Sequence, residues 1–251
     1  GRYNIMPKLF FIILGFGLHL LNAQSFLQQQ QQFARFKVAE KENKLTTTAG
    51  LSKFGVNTSN LNVLLEVFKK EQKLNVYVSD GKTPYQLYKT FDFCTFSGVL
   101  GPKSYEGDGQ IPEGIYQIRD FNPWSSFYLS MGINYPNTID KKRAADLGYA
   151  SAGSNIYIHG SCASIGCVSI SEQIKELYYL CVIAKNNEQK TIPVYMFPFN
   201  FSNPENSKYL SKKHPQLWDD LNSIYQKWNE EKLAPKVELN KNGHYSLHVL
   251  K

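Results

Sequence analysis

Asn155-Ile156-Tyr157-Ile158-His159-Gly160-Ser161-Cys162-Ala163-Ser164-Ile165-Gly166-Cys167-Val168 is the stretch on which the reading of this chain turns. Its first five residues alternate, with Ile156 and Ile158 on one face and Asn155, Tyr157 and His159 on the other, the period of a β-strand that ends in His159 on its polar side. A compact loop then returns to Cys167. A thiolate nucleophile needs a base or a cation nearby, and a histidine at a strand end facing a returning cysteine meets that need. Gly166 allows a close backbone approach, and the amides around Gly166 and Cys167 are candidates to hold the oxyanion formed when sulfur attacks an amide carbonyl. The Gly160 carbonyl is placed to fix the imidazole tautomer, and Ser164 to hydrogen-bond within the loop or to a substrate.

Working outward, Ser171 is an expected N-cap for a helix over residues 172–184, whose apolar positions Ile174, Leu177, Tyr178 and Cys181 follow the helical period. Upstream, residues 62–68 and 73–78 are two β-rich runs joined by a polar turn, a hairpin signal. Further strands are expected within 85–97, 114–120 and 193–201. Residues 217–233 carry the stripe Trp218, Leu221, Ile224, Tyr225 and Trp228 of a helix that stops before Pro235. The pattern is mainly β with flanking helices, an α+β fold, with a catalytic domain over 62–201 and a helical extension over 202–251 packed on it. Residues 24–61, polar and glutamine-rich, have little sustained periodicity and are expected to be a tether or a loose helix.

From Met6 the chain reads as a secretory signal peptide, with Lys8 as the charged start, an apolar run from Leu9 to Leu21 and a cleavage point after Ala23. Residues 1–5 are taken as upstream sequence. A membrane anchor, the other reading, normally needs about 20 apolar residues. Loss of Arg2 and Lys8 with this segment takes the formal charge from +7 to +5. The 251 residues, 42% hydrophobic, suffice for a core. A dense Lys/Arg block, a basic helix or a zinc-finger spacing is missing from the sequence, which argues against nucleic-acid binding.

The motif at 159–167 resembles the active site of the YkuD-type L,D-transpeptidases, in which His-Gly or His-Ser is followed by Ser/Thr-His-Gly-Cys. His159-Gly160 matches the first part and Ser164-Ile165-Gly166-Cys167 the second. Ile165 stands where a second His is common, and the gap between the halves is short. Both departures resemble the YafK-like branch, as do Ser97 to Lys103, Glu106 to Tyr116, Leu129 to Asn137 and Phe197-Pro198-Phe199. The resemblance spans about residues 62–245. It implies a mixed-β YkuD-like domain; the leader at 6–23 points to export to the periplasm or cell envelope, and no cofactor is expected. It implies a thioester on Cys167 and diaminopimelate-containing peptidoglycan stem peptides as substrate. Such enzymes join stems to one another or to a lipoprotein, or cut those links, and the YafK-like branch is associated with cutting the lipoprotein link.

The remaining candidates are weighed on chemistry. Four cysteines allow three full pairings; Cys94–Cys162 would leave Cys167 free, whereas Cys162–Cys167 would silence it. Cys181 is expected to be a buried thiol. A rival of another class is a non-enzymatic module in which Cys94, Cys162, Cys167 and His159 hold structural zinc; an inactive wall-binding relative is a third reading. Glu106, Asp108 and Glu113 are expected in a solvated turn, and His214, His244 and His248 on the surface. Lys103 and Tyr135 are candidates to meet substrate carboxylates.

Overall fold

Strand β1 (Asn62–Phe68) sets the architecture because both of its faces are buried. Val63, Leu65 and Val67 point into one apolar cluster and Leu64 and Phe68 into another, so the strand reads as a nearly unbroken hydrophobic run. It pairs antiparallel with β2 (Lys73–Ser79), confirming the expected hairpin, and parallel with β8 (Pro193–Phe197). With β3 (Gln86–Asp92), β4 (Gly114–Asn122), β5 (Ser130–Ile133), β6 (Tyr157–His159) and β7 (Val168–Ser169), these form one mixed sheet ordered β3-β2-β1-β8-β4-β5-β6-β7. The computed structural model describes residues 24–210 and 214–248, and the expected signal peptide lies outside them.

Helices cover both faces. On one, α4 (Ile174–Asn186) buries Ile174, Leu177, Tyr178 and Cys181. Its start departs from expectation: Ser171 has φ 53° and opens a short 3-10 turn over Ser171–Gln173, without capping α4 through its side chain. The segment expected to be a tether instead forms α1 (Phe26–Gln30) and α2 (Ala34–Ser52). Phe36, Ala39 and Leu51 of α2 are fully buried, and Gln30 accepts a 2.8 Å hydrogen bond from the Tyr178 hydroxyl. Four buried positions among nineteen leave most of α2 polar, which is why no period showed.

On the other face lies α5 (Pro215–Glu231), whose expected stripe Trp218, Leu221, Ile224, Tyr225 and Trp228 is buried. Two indoles also donate to buried carboxylates: Trp228 Nε1 to Glu66 at 2.7 Å and Trp218 Nε1 to Glu113 at 2.8 Å. Glu113 is therefore no solvated turn residue. It is fully buried, and its other oxygen accepts from the Lys69 ammonium at 3.2 Å and the Gly101 amide at 2.7 Å. Asp108 is also tied down, accepting from Lys103 at 2.7 Å. A helix α3 (Thr138–Asp146), capped by Asn137 and Asp140, and a hairpin of β9 (Val237–Leu239) and β10 (Tyr245–Leu247) were not anticipated. The region after residue 201 is thus not purely helical.

Candidate functional site

β6 and β7 run parallel at the sheet edge, with Ile158 opposite Val168 and His159 opposite Ser169. Because β6 is only three residues long, the 160–167 loop has little distance to retrace and no crossover helix is needed. Val168 and Ile158 face the core, so Cys167, one position before Val168, shares the other face with Tyr157 and His159. Among the described hydrogen bonds none joins the two side chains, and the Cys167 thiol instead points at the Asn155 carbonyl, 3.8 Å away.

His159 is 1% exposed, with its ring stacked on Phe127 at 4.5 Å between centroids. Its Nδ1 sits against the Gly160 carbonyl. An oxygen acceptor there requires the proton on Nδ1, which leaves the lone pair on Nε2. Burial pulls the imidazole pKa below its ordinary value, a fall opposed by the Gly160 contact, so the ring is neutral at pH 7. Burial pushes the Cys167 thiol up, while the Tyr157 amide and the Lys103 charge draw it down. The resting pair is thus a neutral thiol and a neutral imidazole, and no preformed thiolate stands beside an imidazolium.

The loop is braced from the segment after β3. Cys94 and Cys162 form a disulfide with Cα atoms 5.5 Å apart, and Cys167 remains a free, half-buried thiol. The bridge excludes the Cys162–Cys167 pairing. It also takes two of the four side chains from the zinc reading, and no metal-binding cluster occurs among the described residues. The Cys94 amide donates to the Ser169 carbonyl at 2.9 Å, and the Gly166 amide to Ser97 Oγ at 2.7 Å.

Residues 62–195 match the model of the YkuD family, the L,D-transpeptidase catalytic domain. The chain belongs to this family. The chain is 31% identical over 186 residues to YafK of Escherichia coli strain K12, a protein named provisionally as an L,D-transpeptidase, with 73% of this chain and 72% of YafK covered. Among solved structures, the helical cell shape determining protein Pgp2 of Campylobacter jejuni shares 19% identity over 76% of this chain and 79% of its own, with a TM-score of 0.42. Bd1075 of Bdellovibrio bacteriovorus shares 22% identity over 67% and 57% of the two chains, with a TM-score of 0.38.

Within the YkuD site, the candidates of the sequence take distinct places. His159 ends β6, Cys167 stands one residue before its partner β7, and the Gly160 carbonyl lies against Nδ1 of His159. Ser164 turns inward and donates to the Cys167 carbonyl at 2.6 Å. Gly166 has φ 101°, and a Cβ there would lie 2.8 Å from the Gln110 carbonyl oxygen, so only glycine fits. Its amide is engaged by Ser97 Oγ. Ile165, standing where the family often has His, is 83% exposed at the loop tip. Tyr135 is buried and donates to the Ala152 carbonyl at 2.6 Å; Lys103 is buried and held by Asp108 and the Tyr105 carbonyl. His244 faces Asp220 and His248 faces Glu238, both in the C-terminal region, while His214 packs on Trp218. Sequence reasoning does not reach Ser97 or Phe127, and the hydrogen-bond partner of Ser97 is 69 positions away.

Proposed function

We propose that this chain is an exported cysteine enzyme of peptidoglycan metabolism, acting on diaminopimelate-containing stem peptides through a thioester on Cys167. The observation that carries the reading is a free thiol one residue before β7 and, at the end of the paired strand β6, an imidazole whose Nδ1 is occupied, which leaves the lone pair on Nε2. Sγ turns about χ1 away from the Asn155 carbonyl toward Nε2. As sulfur bonds to the stem's carbonyl carbon, Nε2 takes the thiol proton, and the Cys167 N–H supports the oxyanion. The imidazolium gives that proton to the departing amine, leaving a thioester. An incoming amine or water then loses a proton to Nε2 and attacks the thioester, and the sulfur recovers its proton. An amine acceptor makes the reaction a transpeptidation; water makes it cleavage, including cleavage of a peptidoglycan–lipoprotein link.

Export is favoured by the leader-like residues 6–23 and by a disulfide between two exposed cysteines, a bond that persists in oxidising compartments. The test is incubation with intact sacculi followed by mass analysis of released or newly joined stems. Turnover by the wild-type chain and its loss in Cys167→Ala are the expected results. Binding without turnover would support the inactive wall-binding reading instead.

A further inference from the structure

Three hydrogen bonds around the nucleophile form a closed chain. The Gly166 N–H donates to Ser97 Oγ at 2.7 Å, Ser97 Oγ lies 3.3 Å from Ser164 Oγ, and Ser164 Oγ donates to the Cys167 carbonyl at 2.6 Å. Each hydroxyl has one hydrogen. Ser164 spends its hydrogen on Cys167, so Ser97 must be the donor between the two serines. Every proton in the chain is thereby assigned. The two backbone groups at its ends belong to the peptide units on either side of the Gly166–Cys167 peptide. That middle unit carries the Cys167 N–H. Fixing both neighbours fixes its plane, and Gly166, pressed against the Gln110 carbonyl at a φ reserved for glycine, cannot relax toward the ordinary regions without losing this packing.

Ser97 does not follow the loop in sequence. It is delivered by the segment after β3, which is anchored by the Cys94–Cys162 disulfide, the Cys94 amide to Ser169 bond and a bridge between Thr95 and Ser169. Gly98, next in line, has φ 81°, and a Cβ there would collide with Gln110 Oε1 and lie 3.0 Å from the Gly109 carbonyl, so the segment after Ser97 is closely fitted too.

We infer that Ser97 is a positioning residue of the catalytic loop: through Ser164 and the Gly166 amide it sets the direction of the Cys167 N–H, and so the quality of the oxyanion site. The inference rests on the function proposed above. Ser97 touches neither sulfur nor imidazole, so it acts on the stabilisation of developing charge and leaves thiol ionisation alone. Loss of a whole oxyanion donor costs about 10²–10³ in kcat; loss of its alignment should cost less.

The experiment compares Ser97→Ala, Ser164→Ala, the double variant and Ser97→Thr in the full chain. Ser97→Ala is expected to lower kcat roughly 10- to 100-fold with KM nearly unchanged. The pH profile of iodoacetamide alkylation at Cys167 should not move. Ser164→Ala should match it, the double variant should be no worse than either single one, and Ser97→Thr, which keeps the hydroxyl, should recover most of the rate. Wild-type kcat in Ser97→Ala, a shifted alkylation profile, or multiplying losses in the double variant would overturn the assignment. Hydrogen exchange at the Gly166 amide reads the same clamp without any substrate. It should quicken about tenfold or more in Ser97→Ala; unchanged exchange overturns the clamp, whereas quickened exchange in a chain that turns over no stem peptide overturns only the proposed function.

Discussion

Glu113, under α5, and Cys167, on the reactive loop, are both polar groups drawn into the protein, and they are treated in opposite ways. Glu113 has both oxygens engaged, by Lys69, the Gly101 amide and the Trp218 indole, and Lys69 donates in addition to the Gly101 and Ile111 carbonyls at 2.6 and 2.7 Å. Glu66 repeats the pattern, accepting from Trp228, Asn75 and Tyr77. At the loop, hydrogen bonds are spent on the backbone and on Nδ1, the thiol makes only a long 3.8 Å contact with the Asn155 carbonyl, and none of the described hydrogen bonds engages Nε2 of His159. A network that holds α5 uses up its bonding capacity; the reactive site keeps some in reserve, and its geometry is supplied by neighbours that do not react.

The sharpest break between the two regions is expected from removing one group in each. Cys167→Ala should abolish turnover, a loss beyond about 10⁴-fold, while thermal unfolding stays within about 1 kcal/mol of wild type. His159→Ala should lower the rate by about 10²–10⁴. Glu113→Ala, in contrast, strands the Lys69 ammonium and the Trp218 N–H in the interior and should cost about 3–5 kcal/mol in urea unfolding. An activity loss in Glu113→Ala with unchanged stability would erase the distinction.

The disulfide lies between these extremes. The Cys94–Cys162 bridge closes 68 residues of separation, for which loop-closure entropy gives about 4 kcal/mol, so Cys94→Ser with Cys162→Ser should lower unfolding stability by roughly that amount. Trp228→Phe keeps the ring but removes the donor to Glu66, and a cost of about 1.5–3 kcal/mol is expected by the same measurement.

The smallest effect is in pH. His159 has a folded pKa below its unfolded value near 6.5, so the unfolded chain binds the proton first as pH falls, and stability declines below about pH 6.5. Cys167 has a folded pKa above 9.0, so the unfolded chain releases its proton first, and stability declines as pH rises past 9. Both slopes should be at most about 1.4 kcal/mol per pH unit and should vanish, each in its own window, in His159→Gln and Cys167→Ala.

What was legible in the sequence follows the same division. The β1–β2 hairpin and the α5 stripe showed because local alternation and helical spacing carry them. The motif at 159–167 showed because a short return loop keeps its chemistry within nine residues. The capping pair Asn137 and Asp140 was available as a signal for α3 but went unread. Helix α2 was hidden by its polar surface, and β5 is only four residues long. Glu113 was misjudged because its partners stand 44 and 105 positions away, beyond any local pattern. Ser97 was out of view for the same reason.

The most direct trial of the account is to mix the wild-type chain with purified stem peptides, quench in acid, and map the adduct by mass. A hydroxylamine-sensitive acyl group on Cys167, absent from Cys167→Ala and slow to form in His159→Ala, is the predicted result. Turnover of the stems with Cys167 never acylated, or with the acyl group on another residue, would contradict it.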